Sequence, residues 1–204
     1  MKRTLSLVLV IAAVLTVVVA SDASRTAAVA PQPVKFSRTE QIERGKYLVT
    51  IGGCHDCHTP WIIHPDGKPG PDMTRALSGH PESLVITKAA QLDAEGGKWG
   101  SASAPTNTAF SGPWGVSFTA NLTPDVHTGT GIWTFDIFKN TIRNGRHWGV
   151  GRPLLPPMPW FNYREMTDED LQAVYAYTRT LKPIRNEVPQ PLPPAAQTND
   201  TKGK

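Results

Sequence analysis

The segment Cys54-His55-Asp56-Cys57-His58 contains the residues of this chain whose types and spacing most clearly indicate chemistry. Two thiols three positions apart can add to the two vinyl groups of one porphyrin, and the adjacent imidazole can bind its iron. The segment therefore predicts haem c, attached through thioethers at Cys54 and Cys57 and ligated by His58. The motif occurs once in the sequence, so one haem is expected.

Three other uses of two cysteines and a histidine compete with haem attachment: a redox dithiol, half of a zinc site and a structural disulfide. A zinc site normally needs four protein ligands, and the other histidines stand at no recognisable spacing from this segment. A thioredoxin-like dithiol is expected after a strand in a βαβ unit, and the sequence indicates no such context. The histidine directly after the second cysteine favours haem over all three alternatives.

A haem iron that only exchanges electrons is best held on both sides, because a six-coordinate iron changes little in geometry between its oxidation states. Met158 is the predicted sixth ligand, since the prolines around it restrict the backbone and remove N–H groups that compete for partners. A thioether raises the potential and biases the iron towards the reduced state. Met73 is the second choice, and gap-filling in a core is the alternative for any methionine. The remaining candidates are Met1, Met166, His55, His64, His80, His127 and His147.

The elements that position these residues begin with a helix directly before the cysteines. Ser37 or Thr39 can cap a helix that continues to Ile51, and the glycine pair at 52–53 ends it. The helix therefore leads the chain straight into the predicted haem-binding turn.

A second helix is predicted near the end of the chain. Thr167 is its cap, acidic residues at 168–170 suit the positive end of the helix dipole, and Pro183 closes it. A third helix is predicted over residues 132–143, where apolar residues recur at helical spacing before Gly145.

Residues 59–113 are rich in Pro and Gly and are predicted to be mostly loop. A short strand is predicted at 83–87, because Leu84, Val85 and Ile86 are β-prone. This stretch would either wrap the haem or form a docking surface.

The amino terminus has the order of a secretory signal. Lys2 and Arg3 precede an apolar run over residues 5–20, and small residues follow. The run is shorter than the roughly 20 residues that a spanning helix needs, which favours a cleaved signal peptide at 1–20 over an uncleaved membrane anchor. The chain is therefore predicted to be periplasmic, with membrane attachment only through an uncleaved leader.

Three further regions are predicted after the leader. Residues 21–36 form a flexible spacer, residues 37–188 form the haem domain, and residues 189–204 form a disordered Pro-rich tail. No cysteine is left for a structural disulfide, so a core and a cofactor must hold the fold.

The charge of the chain excludes one class of partner. The formal net charge is +4, and removal of Lys2 and Arg3 with the leader lowers it to +2, which two haem propionates would offset. The sequence also has no cluster of Lys and Arg with interleaved aromatic residues. No nucleic-acid partner is therefore predicted.

The chain resembles c-type cytochromes with His/Met ligation over about residues 37–188. More narrowly, four segments resemble haem domains in cytochrome subunits of membrane-bound periplasmic dehydrogenases. These segments are GVSFTANLTPD (115–125), TGTGIW (128–133), PPMPW (156–160) and MTDEDL (166–171).

The resemblance implies a mostly α-helical, cytochrome c-like fold in which the first and last helices cross around one covalently bound haem. It also implies that His58 and Met158 are the two axial ligands and that the segment from 59 to 113 is an insertion. Trp133 and Arg143 are candidates for hydrogen bonds to a propionate, or else part of an amphipathic helix face. The candidates for the crossing are Gly45, Tyr47, Val174, Tyr175 and Leu181.

These features predict a periplasmic electron carrier that performs no bond chemistry and exchanges electrons with a dehydrogenase or a membrane respiratory complex. One alternative is a subunit whose haem relays electrons inside a dehydrogenase complex. A haem peroxidase or gas-binding protein is a further alternative, which needs a displaceable sixth ligand.

Overall fold

The computed structural model describes residues 36–92 and 98–194. The predicted signal peptide at 1–20, the predicted spacer as far as residue 35, and the chain from residue 195 onward lie outside these residues. Within the described part, no helix is both long enough and apolar enough to span a bilayer.

Helices are the largest elements of the described residues, which is compatible with the predicted mostly helical fold. Short 3-10 turns lie at Met73–Arg75 and His147–Gly149. The helices are α1 (Arg38–Ile51), α2 (Cys54–His58), α3 (Phe135–Asn144), α4 (Trp160–Tyr163) and α5 (Asp168–Thr178). The strands are β1 (Trp61–Ile63), β2 (Pro69–Pro71), β3 (Ala102–Ser103), β4 (Ala109–Gly112) and β5 (Gly115–Phe118).

The predicted caps of the first and last helices are confirmed. Ser37 and Glu40 form a capping box at α1, in which each side chain accepts a hydrogen bond from the other residue's N–H. At α5, the Thr167 hydroxyl accepts a hydrogen bond from the N–H of Asp170. The helix over the predicted segment 132–143 begins later, at Phe135, because Thr134 is its cap.

α1 and α5 pack directly against each other, and Gly45 lies at their contact as predicted. A Cβ at position 45 would overlap the carbonyl of Ala173 and lie 2.8 Å from the Cβ of Tyr177. Arg44 of α1 also donates a hydrogen bond of 2.5 Å to the carboxylate of Asp170. The missing side chain at position 45 therefore allows the two backbones to approach closely.

Two other residues that the sequence assigns to this contact lie elsewhere. Tyr47 is 58% exposed. Tyr175 packs its ring against Phe135 and Phe138 of α3, and its hydroxyl donates to the carbonyl of Trp133. The partners of Gly45 are therefore Ala173 and Tyr177.

Two small antiparallel sheets are formed by the insertion and the residues directly after it. β1 pairs with β2, and β4 lies between β3 and β5. The predicted strand at 83–87 is wrong, since no strand forms there: Val85 is 75% exposed, while Ile86 packs against the sheet core. β-propensity reflects packing on a pleated surface, and three β-prone residues do not supply a pairing partner.

Two apolar clusters form the core of the described residues. One lies under the sheet β3–β4–β5 and contains Ala109, Val116 and Phe118. The other lies between α3 and α5 and contains Phe138, Ile142 and Leu171, with Met158 and Met166 packed against it.

The first part of the predicted tail lies against β5. Leu192 exchanges two backbone hydrogen bonds with Val116, of 2.9 and 3.0 Å, and its side chain packs on the sheet core. Residues 189–194 therefore belong with the folded part of the chain, because they supply an apolar side chain and pair an edge of β5.

Candidate functional site

One cavity of about 540 Å³ contains all four residues predicted to hold a cofactor: Cys54, Cys57, His58 and Met158. Its walls come from α1, α2, α3, α5, the end of β5 and the loops on both sides of α4. The volume lies within the roughly 300–1,000 Å³ of small-molecule and cofactor sites. The structure thus brings together residues that are 100 positions apart in the sequence.

The turn between α1 and α2 places Cys54 at the cavity. Gly53 adopts the left-handed conformation, with φ of 65°, which a glycine tolerates without strain. The hydroxyl of Tyr163 in α4 donates a hydrogen bond of 2.5 Å to the carbonyl of Gly52. The turn is therefore fixed both by its own glycines and by α4.

The two cysteines are free thiols with raised pKa values. Burial raises the pKa of Cys54 to about 11, and burial also raises the pKa of Cys57. A reactive dithiol needs the opposite shift, because the thiolate is the nucleophile. The raised pKa values therefore argue against the redox dithiol that the sequence left open.

His58 is oriented by a single backbone contact. Its Nδ1 lies 2.8 Å from the carbonyl oxygen of Ala120, and a carbonyl can only accept, so Nδ1 donates. Burial lowers the pKa of His58, which keeps the imidazole neutral with a lone pair on Nε2. Metal-binding histidines commonly donate their other N–H to a carbonyl in this way.

The start of the insertion holds the far side of α2. The N–H of Gly79 donates a hydrogen bond of 2.8 Å to the carbonyl of His58, and the N–H of Leu77 donates one of 2.9 Å to the Thr59 hydroxyl. Leu77 is fully buried and adopts a left-handed φ of 57°. It is the residue of the described part of 59–113 that lines the cavity, so the insertion contributes a backbone brace and one apolar wall residue.

Met158 lies in the loop between the 3-10 turn at His147–Gly149 and α4. Ser117 of β5 donates its hydroxyl to the carbonyl of Pro156 at 2.6 Å, which ties this loop to the sheet. The Pro156–Pro157 bond is cis. Met166 lines the same cavity, although the sequence favours a core role for it. The cavity therefore offers two thioethers.

The other candidates for the sixth iron ligand differ in whether they line the cavity. Met73 is 56% exposed and lies outside the cavity wall. His55 is bonded through Nδ1 to the Thr59 hydroxyl, and His80 is buried in the insertion. His147 is the one additional histidine of the described residues that lines the cavity.

Of the two residues that the sequence suggests for propionate binding, one lies at the cavity and the other does not. Trp133 lines the cavity. Arg143 is instead paired with Asp168 at 2.7 Å and donates to the carbonyl of Arg164, so it links α3 to the start of α5. Arg152 lines the cavity in its place. Sequence reasoning missed Arg152 because nothing in its local pattern distinguishes it from a surface arginine.

Haem c fits this set of residues. The walls are mostly apolar, the donor atoms are two sulfurs, a neutral imidazole and a thioether, and the volume suits a large flat group. The Thr119 hydroxyl, buried in the wall, has no hydrogen-bond partner among the described residues. Within the same residues, no group of three or more His, Cys, Asp and Glu is placed to hold a metal ion.

The chain is similar to cytochrome subunits of dehydrogenases. It is 29% identical over 162 residues to the fructose dehydrogenase cytochrome subunit of Gluconobacter japonicus, covering 79% of this chain and 25% of the relative. It is 28% identical over 136 residues to the gluconate 2-dehydrogenase cytochrome c subunit of Pantoea cypripedii, covering 67% and 22%.

A third relative is named for a different dehydrogenase. This nicotinate dehydrogenase subunit from Pseudomonas putida is 29% identical over 163 residues, covering 80% of this chain and 10% of the relative. The chain thus spans a quarter or less of the curated relatives that it matches. No family model matches the chain.

Proposed function

We propose that this chain is a haem c protein that relays single electrons as a subunit of a dehydrogenase complex. One observation carries the proposal: Cys54, Cys57, His58 and Met158 line the same cavity. The similarity to cytochrome subunits supports a relay within a complex better than it supports a freely diffusing carrier.

Each of the four residues has a role that follows from its chemistry. Cys54 and Cys57 hold the haem through thioethers, and His58 binds the iron through Nε2, since Nδ1 is already committed to a carbonyl. Met158 is the second axial ligand, and its weak donation favours the reduced state. The bound haem supplies a one-electron iron couple. The apolar walls around these residues keep water from the ligand bonds.

The proposal includes the finer features that the sequence predicts. The domain at residues 37–188 has a cytochrome c-like fold, which the direct packing of α1 on α5 supports. It carries one haem, performs no bond chemistry and works in the periplasm after export by the signal at 1–20. The partner is a dehydrogenase or a membrane respiratory complex.

The assignment of Met158 is tested by a matched pair of variants. The full chain is expressed with its leader in a host that attaches haem c, and spectra are recorded for Met158→Ala and Met166→Ala. We expect the wild type and Met166→Ala to give sharp low-spin reduced bands and a weak sulfur-to-iron absorption when oxidised. Met158→Ala should lose both features, because the remaining thioether does not replace it.

Three results would contradict parts of the proposal. If Met166→Ala and not Met158→Ala became high-spin, the ligand would be Met166. If haem staining after denaturing electrophoresis were absent in the wild type, Cys54 and Cys57 would not hold a haem, and a disulfide between them would be the favoured alternative. A stained but high-spin wild-type protein would instead favour a ligand-binding or peroxidase-like haem.

The relay role has a separate test. The affinity-tagged chain is purified from its native membranes and periplasm, and its size and reduction by dehydrogenase substrates are measured. A subunit should co-elute with a polypeptide that has dehydrogenase activity and should be reduced by that enzyme's substrate. A monomer that exchanges electrons with several proteins through a salt-sensitive encounter would indicate a free carrier.

A further inference from the structure

Arg152 differs from the other basic residues of the structure in where it lies. Among the lysines and arginines that the structure describes, it is the one that lines the cavity. The other titratable residues of the wall are Cys54, Asp56, Cys57, His58, His147 and Tyr163. A cationic side chain at a mostly apolar cavity can bind an anionic group of a ligand in that cavity.

Arg152 has no such partner in residues 36–92 and 98–194. Its closest acceptor is the carbonyl of Pro153, at 3.4 Å, and it forms no ion pair with a carboxylate there. Arg44 and Arg143, by contrast, pair with Asp170 and Asp168. Although the residue as a whole is solvent-accessible, desolvation lowers the pKa of the Arg152 guanidinium.

The loop that carries Arg152 is held by its own backbone. The carbonyl of Arg152 accepts a hydrogen bond of 2.9 Å from the N–H of His147. The N–H of Gly151 donates a hydrogen bond of 2.8 Å to the carbonyl of His147. At the base of the loop, the N–H of Leu154 donates 2.8 Å to the carbonyl of Gly145. The backbone at Arg152 is therefore held beside the cavity by the loop itself.

Two further groups face the cavity near this loop. The His147 ring packs edge-on against Trp133, with 5.6 Å between the ring centroids, and both residues line the cavity. Desolvation and the charge of Arg152 lower the pKa of His147, so the imidazole is neutral. The cavity wall therefore combines the charged guanidinium of Arg152 with the neutral rings of His147 and Trp133.

We propose that Arg152 is the counter-charge that binds a carboxylate group of the haem and thereby raises the reduction potential of the iron. This inference rests on the proposed function, since it requires a haem in the cavity. Arginine suits the role because its planar guanidinium can bind a carboxylate with two parallel hydrogen bonds. The role differs from that of Cys54, Cys57, His58 and Met158, which hold the ring and the iron.

The direction of the effect follows from electrostatics. Reduction removes one positive charge from the iron, so a nearby cation favours the reduced state and a nearby unpaired carboxylate favours the oxidised state. Replacing Arg152 by a neutral residue should therefore lower the potential. It should also raise the pKa of the carboxylate that Arg152 had paired, since an opposite charge no longer favours the ionised form.

The test measures the reduction potential of the haem-loaded full chain against pH for the wild type and three variants. Arg152→Gln removes the charge, Arg152→Lys keeps it, and Arg146→Gln removes the same charge from the same loop. Arg146 is the matched control because it is exposed like Arg152 but lies outside the cavity wall, where it donates to the Gly151 carbonyl at 2.9 Å.

We expect Arg152→Gln to shift the ratio of oxidised to reduced protein at fixed potential by on the order of tenfold towards oxidised. Its potential should also rise as the pH falls from about 8 to 5, because the carboxylate takes up a proton and because His147, no longer beside the Arg152 charge, does so more readily. Arg152→Lys should lie between Arg152→Gln and the wild type. The wild type and Arg146→Gln should have the same, nearly pH-independent potential in this window.

The results that would contradict these expectations distinguish a failure of the Arg152 inference from a failure of the proposed function. If Arg152→Gln and Arg146→Gln shift the potential equally, or neither does, while haem stain and low-spin bands are normal, the inference is overturned and the proposed function stands. If the wild type carries no haem, both fail. If Arg152→Gln does not fold, Arg152→Lys decides: a change smaller than that expected for Arg152→Gln supports the role of the charge, and a change as large as that overturns it.

Discussion

At the scale of single residues, the hydrogen bonds of His80 allow only one arrangement of protons. The ring is fully buried, with Nε2 at 2.8 Å from the carbonyl of Leu84 and Nδ1 at 2.9 Å from the Thr108 hydroxyl. Because the carbonyl only accepts, Nε2 donates and Nδ1 accepts from Thr108. A second proton on Nδ1 would force this hydroxyl to turn away.

This arrangement predicts a contribution of His80 to acid sensitivity. Burial lowers its pKa below the ordinary 6.5, so the unfolded state binds the proton more readily. The stabilisation is complete above about pH 6.5 and is lost as the pH falls below it. In guanidinium unfolding of the haem-loaded protein, His80→Gln should lower the stability by about 1–3 kcal/mol near pH 7.

The pH slope distinguishes this contribution from a simple loss of packing. Between about pH 6.5 and 4.5, the stability of His80→Gln should fall less steeply than that of the wild type, because one proton-linked group has gone. Identical slopes in the wild type and His80→Gln would show that His80 does not titrate within this window.

Residue-scale chemistry was predictable from the sequence where it depends on neighbours in the chain. The spacing of Cys54, Cys57 and His58 and the prolines around Met158 pointed to residues that the fold brings to one cavity. Arg152 and Met166 were missed as cavity residues. Their positions depend on how the loops around α4 meet α3 and α5, and no local pattern records that contact.

At the scale of elements, the contact between α1 and α5 depends on the absence of a side chain at position 45. In an open helix, Gly→Ala stabilises by roughly 0.5–1 kcal/mol. Here a Cβ would overlap the backbone of Ala173, so we expect Gly45→Ala to destabilise the protein by about 1–3 kcal/mol. Thermal unfolding of the haem-loaded protein, followed by far-UV circular dichroism, measures the change.

A second glycine separates this effect from a general response to Gly→Ala. Gly100 has nothing within 4 Å of the position that its Cβ would occupy. Gly100→Ala should therefore leave the melting temperature almost unchanged. Equal melting temperatures for both variants would mean that the helices can separate without cost and that the close approach is not needed.

Element prediction succeeded where the signal is local and failed where it is not. The caps at Ser37 and Thr167 are determined by hydrogen bonds within three residues, and both helices begin as predicted. The paired strands β1, β2, β4 and β5 were missed, since all four are short and β2, β4 and β5 contain Gly or Pro. Their stability comes from pairing and from the core beneath β4 and β5.

At the scale of the whole molecule, one buried asparagine joins the insertion to the segment after α5. Asn186 is 1% exposed, and its amide donates to the carbonyls of Ser78 and His80 at 2.7 and 2.8 Å. Its side-chain oxygen accepts a hydrogen bond of 3.0 Å from the N–H of Glu82. Because the N–H of the neighbouring Gly79 bonds to the carbonyl of His58, this clamp supports the segment that braces α2.

Removal of the clamp should therefore affect both stability and the cofactor site. Asn186→Ala leaves the buried carbonyls of Ser78 and His80 and the part-buried N–H of Glu82 without this partner, and we expect a loss of about 2–4 kcal/mol in guanidinium unfolding. The exposed Asn162, whose side chain makes no hydrogen bond in the described residues, gives the control Asn162→Ala, which should stay within about 0.5 kcal/mol of the wild type. Hydrogen exchange should become faster at Gly79 in Asn186→Ala alone, because its bond to His58 loses support. Unchanged exchange with reduced stability would mean that Asn186 holds the chain end but does not brace the site.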